Sequence, residues 1–466
     1  MDGERFFMEP FQFTVIADTH YFSKTLGTTG KAYELRSGSD QKCLGETAEL
    51  IDAAFEQIAA SDTQAVLIAG DLTNDGERVS HEEFREKLYR LKEKKPVYVI
   101  TATHDWCCDQ NPRRYSGRQT FHDVPVMASN ELRDFYRDFG PDAAEAEFTT
   151  HLGTSSYVVR LSDHVKLLAL NDDQNGKGRA GFKEDHFQWI EEQIKKAREE
   201  NCLMIGMEHH LLIAHVNPLL TGGGTCVGDR EEVAARLADA GLRYMFVGHS
   251  HIQHTDHFIS PAGNKITEVN VGSLVGYPAP IVNVTVQPDQ TLRYQVDHLR
   301  EFTQNGRTIP ATPYLREHAL ALVHRVLDSK DKADFSEKLT ALQLNGQKIG
   351  RFYPLIHPVL RFLNEGTAWG LYKKARLTGK AKGIDRTLIE RHRDDKILDY
   401  VDPMFLAFFD GTVTPHAPDS DFYQLVMSFV GALQKMLPKN GEIKKFADTC
   451  ETLLTGGEYD NQAAII

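Results

Sequence analysis

Five short stretches of the sequence place carboxylate, hydroxyl or imidazole side chains directly after a run of apolar residues. Such runs are typical of buried β-strands, and a polar residue at the end of each strand would reach one edge of a sheet. Asp71 follows residues 66–69 and Gly70, and its two carboxylate oxygens could hold two cations side by side. Taken alone, a Gly-Asp pair after a strand favours a turn in which the aspartate caps the next helix. The other stretches contain Asp18/His20, Thr103/His104, His209/His210 and His249/His251.

The combination of residue types indicates a site for two transition-metal ions. Residues two apart share a face of an extended segment, so Asp18 and His20 could reach one ion together. A single histidine at a strand end is more often structural than a ligand, but five such sites are hard to explain by packing. Carboxylate and imidazole ligands together suit Mn, Fe or Zn. Two ions roughly 3.5–4 Å apart suit displacement at phosphorus, because they lower the pKa of a bridging water from about 15.7 toward 7.

An alternation of strands and helices would bring these side chains to a common edge. Residues 13–17, 66–69 and 96–101 predict three buried strands. Helical spacing predicts a helix over 47–60, and Ser80 to Glu83 predict a capping box that opens a second helix. The order of strand, helix, strand, helix, strand indicates an α/β fold with its chemistry at one edge of the sheet.

The next part of the chain predicts a second sheet. Residues 156–161 and 165–170 predict an antiparallel pair, and buried strands are expected at 202–207 and 244–247. The alternation in residues 266–271, 281–286 and 292–296 indicates that the second sheet is mainly antiparallel. Packed against the first sheet, it would give a four-layer αββα sandwich with outer helices.

Two irregular stretches leave alternatives open. Residues 106–127 are long enough to be a lid or a binding loop, although a solvated excursion would look the same. The glycines at 222–224 resemble a phosphate-binding loop only weakly, and a flexible turn is the more economical interpretation.

Composition and charge exclude several classes of protein. The 466 residues are 41% hydrophobic and carry a formal net charge of −13, which disfavours attraction to a nucleic-acid polymer. The six cysteines form no CxxC pair, so neither a zinc ribbon nor a disulfide framework is indicated. Residues 1–10 do not resemble a signal peptide, and no apolar run approaches a membrane span. We therefore expect a soluble cytoplasmic protein without a membrane partner.

The pattern changes near residue 304, which predicts two domains. Residues 1–303 would form the α/β catalytic domain, and residues 304–466 an all-helical C-terminal domain. Helices are predicted at residues 314–327, 335–342, 388–409, 422–437 and 442–454. This domain shows aromatic core residues but no set of ligands, so we expect a non-catalytic cap or a surface for oligomer formation.

The ordered motifs resemble the calcineurin-like metallophosphoesterase superfamily over roughly residues 11–298. Asp18-Thr-His20 matches its DxH motif, Gly70-Asp71 its GD motif, and Gly248-His-Ser-His251 its GHxH motif. The stretch from Gly70 to Gly76, with the helical extension, looks most like bacterial members related to class III cyclic-nucleotide phosphodiesterases.

The resemblance implies a role for each of the matching residues. One ion, divalent or part of a mixed-valence pair, would be held by Asp18, His20, Asp71 and His251. The second ion would be held by Asp71, His209 and His249. His209 is preferred over His210, because the first of paired histidines is usually the ligand in this family. His104 would be the catalytic residue beyond the metals, an electrostatic aid and proton donor to the leaving oxygen.

One position departs from the family pattern. Where the family has an asparagine ligand of the second ion, this chain has Thr103, whose hydroxyl is a shorter and weaker neutral ligand. We therefore expect a weaker second site, completed by water or by a neighbour such as Asp105 or Asp109.

The resemblance implies a phosphoric ester hydrolase in which a metal-bridging hydroxide attacks phosphorus. We expect a phosphodiesterase acting on a small substrate, with cyclic nucleotides among the candidates. A phosphomonoesterase of the same fold remains open, because the ligands do not separate the two. A different class is a binding or regulatory module with a degenerate second metal site, for which Thr103 is the only support.

Overall fold

A computed structural model of the chain describes residues 10–215, 225–341, 347, 350–351, 353–377, 379, 381, 384–411, 416–436, 450–451, 453–455 and 460–466. The turn predicted at 222–224 and most of the helix predicted at 442–454 lie outside these residues. The chain divides into two compact units. The first contains Met1–Tyr33, Lys42–Leu315 and Asn461–Ile466, and the second contains Glu34–Gln41 and Arg316–Asp460.

The strands and helices of the described residues are numbered in chain order. The strands are β1 (Phe11–Ile16), β2 (Ala65–Ala69), β3 (Val97–Ile100), β4 (Arg114–Ser116), β5 (Gln119–Phe121), β6 (Ala146–Thr149), β7 (Ser155–Ser162), β8 (Val165–Ala169), β9 (Leu203–Met207), β10 (Tyr244–Val247), β11 (His254–Ile259), β12 (Lys265–Asn270), β13 (Pro280–Val286), β14 (Leu292–His298), β15 (Glu301–Gln304), β16 (Arg307–Pro310) and β17 (Ala463–Ile465). The helices are α1 (Lys31–Ser37), α2 (Thr47–Ala59), α3 (Arg78–Lys92), α4 (Ser129–Phe135), α5 (Glu184–Glu199), α6 (Arg230–Ala240), α7 (Ala311–Leu327), α8 (Lys332–Ala341), α9 (Tyr353–Glu365), α10 (Ala368–Leu377), α11 (Arg386–Arg391), α12 (Leu398–Asp410) and α13 (Asp421–Met436).

Two mixed sheets form the first unit. The first sheet has the order β17-β14-β13-β1-β2-β3, in which β1, β2 and β3 are parallel. The second has the order β11-β12-β10-β9-β8-β7-β6, in which β8, β9, β10 and β12 are parallel. Each sheet therefore has an edge where the carboxyl ends of parallel strands meet.

The two sheets pack face to face around a shared hydrophobic core. Phe13 and Leu67 from the first sheet pack with Ile205 and Phe246 from the second, and all four side chains are fully buried. The rings of Phe13 and Phe246 meet edge to face, with centroids 5.6 Å apart. Each buried side chain of this kind stabilises the fold by about 1.5–3 kcal/mol. Helices α5 and α6 cover the outer face of the second sheet. The predicted α/β sandwich with a helical C-terminal region is confirmed.

The predicted composition of the second sheet was wrong in part. Of the three strands expected there, β12 lies in the second sheet and runs parallel to β10. Strands β13 and β14 lie in the first sheet, where β13 pairs antiparallel with β1. A period of two identifies a half-buried strand but not its partner. The stretch expected to be irregular also contains a short hairpin, formed by β4 and β5.

The predicted capping box at Ser80 was wrong. Helix α3 begins two residues earlier, at Arg78, with Glu77 as its N-cap. Ser80 therefore lies in the first turn, and its hydroxyl accepts a hydrogen bond from the backbone N–H of Ser23 at 3.2 Å. The helix start is displaced because the serine serves a tertiary contact.

The second unit is helical in its described part. Helices α7, α8 and α13 lie where helices were predicted, α7 beginning just before the boundary of this unit, and α9 and α10 were not foreseen. The single helix expected at 388–409 was wrong, because residues 392–397 separate α11 from α12. His392 there makes hydrogen bonds with Asp395 and Asp421, both at 2.8 Å, and these contacts stabilise the turn. None of the described helices combines the length and apolar composition that crossing a bilayer requires.

The predicted domain boundary remains a prediction. Residues 303 and 304 both fall in β15, the first strand of the hairpin with β16, and the first compact unit continues to Leu315. The last residues of the chain also return to this unit, where β17 pairs antiparallel with β14. The range predicted to be all helical therefore contains two short strands.

Candidate metal centre

The backbone turns sharply at the carboxyl ends of the parallel strands. A positive φ is uncommon for residues other than glycine, and such strained positions cluster at functional sites. Five of the predicted ligands adopt it: Asp18 (52°), His20 (38°), Asp71 (49°), His249 (67°) and His251 (58°). Hydrogen bonds between neighbouring loops hold this geometry, including Asp18 N–H to Gly70 O at 3.2 Å and His20 N–H to Asp71 O at 2.9 Å.

The first cluster consists of Asp18, His20 and His251. The Nε2 atoms of His20 and His251 lie 3.0 Å apart. They are 3.5 and 3.4 Å from Oδ1 of Asp18. The other oxygen of Asp18 accepts a hydrogen bond from the backbone N–H of His249 at 2.9 Å. The aspartate therefore fixes one neighbouring loop and offers its remaining oxygen to the cluster.

The second cluster consists of Asp71, His209 and His249. Oδ2 of Asp71 lies 3.1 Å from Nε2 of His209, which is 3.2 Å from Nδ1 of His249. The same oxygen is 3.7 Å from Nε2 of His20, a member of the first cluster. Asp71 is almost fully buried and lies between the two groups of ligand atoms. This is the position that a carboxylate shared by two ions would need.

The donor atoms fit a pair of transition-metal ions. In each cluster, one oxygen and two imidazole nitrogens lie within 4.8 Å of one another. Nδ1 of His209 donates a hydrogen bond to the carbonyl oxygen of Ala69 at 2.8 Å, which leaves the lone pair of Nε2 for an ion. A metal-bound histidine commonly has its second nitrogen fixed in this way. Oxygen and nitrogen donors together match the preferences of Mn, Fe and Zn.

The electrostatics of the clusters also suit cations. Burial raises the pKa of the Asp71 carboxyl, but the charge of His209 lowers it further, and the net pKa lies well below its ordinary value. Burial lowers the pKa of His209, yet Asp71 raises it well above the ordinary value. Burial lowers the pKa of His20 to about 3. Asp71 is therefore ionised and His20 neutral at pH 7, and an ion would replace the proton held by His209.

His104 lies beside the clusters but belongs to a more exposed position. Its side chain is 36% exposed, and its ring centroid is 4.9 Å from that of His20. Its backbone N–H donates to Oδ1 of Asp71 at 3.2 Å, and its Nδ1 donates to the carbonyl oxygen of Asn74. Since Nδ1 is engaged, Nε2 is the atom free to face a substrate.

Asp105 supports the loop of His104 instead of standing in for a ligand beside Thr103. Its carboxylate accepts hydrogen bonds from the backbone N–H groups of Thr73 and Ala102, both at 2.9 Å. Burial, with the charge of Asp71, raises its pKa to about 7. Asp109 is more exposed and lies 3.7 Å from Arg113. The hydrogen bonds of Asp105 disfavour it as the predicted replacement ligand.

One pair of residues at the site was missed by sequence reasoning. Asp172 is fully buried, and its two oxygens lie 2.7 Å from the backbone nitrogen and 3.2 Å from Nδ1 of His210. The ring of His210 packs 4.3 Å from that of His249. Asp172 follows β8 as the other site residues follow their strands. The signal was present, but β8 was assigned only to an antiparallel pair, and its parallel partner β9 places its end at this edge.

The structure brings all of the predicted site residues to one edge of the first unit. Asp18, His20, Asp71, His209, His249 and His251 supply the ligand-type atoms, with His104 beside them. Their assignment as ligands and proton donor stays a prediction. A pocket of about 860 Å³ opens next to Thr103 and His210.

Comparison with solved structures shows low sequence identity to metal-dependent phosphatases. A dimetal phosphatase from Danio rerio is 12% identical, with a TM-score of 0.44 over 65% of this chain and 99% of that chain. A purple acid phosphatase from yellow lupin is 12% identical, with a TM-score of 0.39 over 65% and 53% of the two chains. A 5'-nucleotidase precursor from Thermus thermophilus is 14% identical, with a TM-score of 0.36 over 69% and 60%. The chain thus spans less than two thirds of the latter two proteins.

Comparison with curated protein sequences gives no match. The sequence model of the calcineurin-like phosphoesterase family matches residues 11–253, which is more than half of the chain. The matched range includes every residue of the two clusters. The chain therefore belongs to the calcineurin-like phosphoesterase family and is a metal-dependent phosphoesterase.

Proposed function

We propose that this protein is a phosphodiesterase acting on a small substrate at a centre of two metal ions. The observation that carries the proposal is the position of Asp71, whose Oδ2 lies 3.1 Å from His209 and 3.7 Å from His20. A single carboxylate within reach of both clusters supports two ions held close together. The ions, of Mn, Fe or Zn, would be held by Asp18, His20, Asp71 and His251 on one side and by Asp71, His209 and His249 on the other.

The residues around this centre would divide the work of phosphoester hydrolysis. Two bound divalent ions lower the pKa of a water molecule toward 7 and neutralise charge on phosphoryl oxygens. Asp71 and Asp18, both buried and ionised, fix the geometry of the donor atoms. Nε2 of His104, left free by the bond from Nδ1 to Asn74, would donate a proton to the departing alcohol oxygen.

The pocket beside the centre supports a diester over a monoester. Its volume of about 860 Å³ next to Thr103 and His210 gives room for a second ester arm. The net charge of −13 supports a small substrate over a nucleic-acid polymer. A cyclic nucleotide, a relation to class III phosphodiesterases, a cytoplasmic location and an oligomer formed through the helical unit remain predictions.

Hydrolysis of bis-p-nitrophenyl phosphate by protein loaded with Mn tests this proposal. His104→Ala removes the proposed proton donor, so we expect kcat to fall by about 10²- to 10⁴-fold. His164→Ala is the matched control, because His164 is exposed and precedes β8 at the end of the strand away from the clusters. Its kcat should equal that of the unaltered chain.

The same assay separates the alternatives. Hydrolysis of p-nitrophenyl phosphate but not of the diester would identify a phosphomonoesterase. No hydrolysis of either compound with Mn, Fe or Zn would favour a binding or regulatory module. A similar loss of activity in His104→Ala and His164→Ala would remove His104 from the reaction.

A further inference from the structure

The pocket next to the metal centre has a wall that no step of hydrolysis uses. Thr103 and His210 form its border with the clusters, and Trp106 and Asp173 lie on the wall beyond them. Trp106 ends the short helical turn Thr103–Trp106, so it follows His104 by two residues. Asp173 follows Asp172 in the segment after β8. The wall is therefore fixed to the same loops that position the site.

Asp173 presents a carboxylate oxygen that lacks a protein partner. Oδ2 accepts hydrogen bonds from Nε1 of Trp106 at 3.0 Å and from Nδ2 of Asn171 at 3.1 Å. Oδ1 is buried and has no hydrogen-bond partner among the described residues. The residue is only 3% exposed. A buried acceptor without a partner is costly, so a ligand that donates a hydrogen bond would recover that free energy.

The charge of the pocket favours a cationic donor over an anionic ligand. Its lining contains four carboxylates, from Asp173, Asp229, Glu231 and Glu232, and two guanidinium groups, from Arg179 and Arg230. One guanidinium, that of Arg230, already lies 3.6 Å from Glu231. A second phosphate or a carboxylate on the substrate would therefore meet net negative charge.

Trp106 adds an aromatic surface next to the carboxylate. Its indole N–H is held by Asp173, which fixes the ring relative to Oδ1. A cation near the face of a tryptophan is attracted by the ring, and tryptophan is the best aromatic residue for this contact. An ammonium group in this pocket could meet both the carboxylate oxygen and the indole.

We propose that the pocket formed by Trp106 and Asp173 binds an ammonium group on the alcohol arm of the phosphoester substrate. This rests on the proposed function, since the phosphoryl group must lie at the metal centre for the arm to reach the pocket. The preferred substrates would be small esters of amino alcohols. Esters whose arm ends in a methyl, carboxylate or second phosphate group would be disfavoured.

Binding of three phosphonates of similar size tests the inference without turnover, because hydrolysis does not cleave their C–P bond. The probes are 2-aminoethylphosphonate, n-propylphosphonate and 3-phosphonopropionate, titrated by calorimetry into protein loaded with Mn. We expect the amino compound to bind at least about tenfold more tightly than the propyl compound. The carboxylate compound should bind most weakly.

Variants locate the preference. Asp173→Asn keeps the size of the side chain and removes its charge, so the ratio of the two dissociation constants should fall toward one. Trp106→Phe removes the indole donor that holds Oδ2 and should lower the ratio independently. Asp163→Asn, an exposed aspartate in the turn between β7 and β8, is the matched control and should keep the full ratio.

The outcomes are distinct from those of the hydrolysis assay. Equal binding of the amino and propyl compounds by the unaltered chain would overturn the inference, as would a preference that persists in Asp173→Asn. A protein that prefers the amino compound yet hydrolyses no phosphoester would retain this pocket and lose the proposed function.

Discussion

Individual residues show how the centre is assembled from distant parts of the sequence. Asp18 uses one oxygen to hold the backbone of His249, more than two hundred residues away, and offers the other to the first cluster. Asp71 uses one oxygen for the backbone of His104 and the other for His209. Each aspartate thus acts as a ligand-type group and as a support for a neighbouring loop. This double use explains why both are buried almost completely.

A residue outside the site gives a prediction about pH. Hydrogen bonds to Asp421 and Asp395 raise the pKa of His392 above its ordinary value of 6.5. Because the folded pKa is raised, the stabilisation is full below pH 6.5 and is lost as pH rises through the folded pKa. The unfolding free energy of His392→Gln should therefore fall furthest below that of the unaltered chain in acid. Denaturant unfolding from pH 5.5 to 9 measures this, with the exposed His164→Gln as the control.

An equal difference between His392→Gln and the unaltered chain at every pH would contradict that assignment. The difference would then reflect packing alone, because the charge of the imidazole would not contribute to stability.

At the residue scale, the predicted ligands were found because each follows an apolar run that ends in a polar residue. The partners of His104 and His210 were not found in this way. Asn74 contributes its backbone carbonyl to His104, which no side-chain pattern reveals. Asp172 lies at a strand end, but its contact with His210 depends on the parallel pairing of β8 with β9. Pairing between distant strands is a tertiary property that local periodicity does not contain.

Among the elements, the turn at the end of β2 has the strictest steric requirement. Gly70 has a φ of +86°, and an added Cβ would lie 2.6 Å from Nδ1 of His209 and 3.0 Å from Cβ of Ala102. The turn therefore needs glycine both for its conformation and for the position of a predicted ligand. Its carbonyl oxygen also accepts the hydrogen bond from Asp18 N–H.

Gly70→Ala should lower both stability and metal affinity. The left-handed conformation costs an alanine about 1–2 kcal/mol, and the contact with His209 adds to this by displacing the imidazole. Gly263→Ala is the matched control, because its φ is +88° and nothing lies within 4 Å of the added Cβ. Both variants should unfold at lower denaturant concentration, but only Gly70→Ala should bind Mn more weakly. Equal Mn affinity in the two variants would contradict the role given to this turn.

The elements were predictable to different degrees for identifiable reasons. Strands β1, β2, β9 and β10 are buried apolar runs, and their sequences mark them clearly. The start of α3 was misplaced because Ser80 bonds to Ser23 and does not cap the helix. Strand β17 has only three residues, and its pairing with β14 provides the order that its own sequence does not specify.

The whole molecule combines a sandwich unit that contains the site with a unit that is helical in its described part. The family match covers residues 11–253, and the second unit begins after that range except for Glu34–Gln41. All residues of the proposed centre and pocket belong to the first unit. The proposed chemistry can therefore be assigned to the sandwich, and the helical unit stays a candidate for a non-catalytic role.

The most direct test of the central claim is anomalous diffraction from crystals of the protein soaked in manganese. We expect two peaks roughly 3.5–4 Å apart on either side of the Asp71 carboxylate. The peak near His209 and His249 should have the lower occupancy, because Thr103 replaces the stronger amide ligand. In crystals of Asp71→Asn the pair should be lost or reduced to a single peak. A crystal with no peak beside Asp71, or with one peak that Asp71→Asn leaves unchanged, would contradict the shared-carboxylate centre.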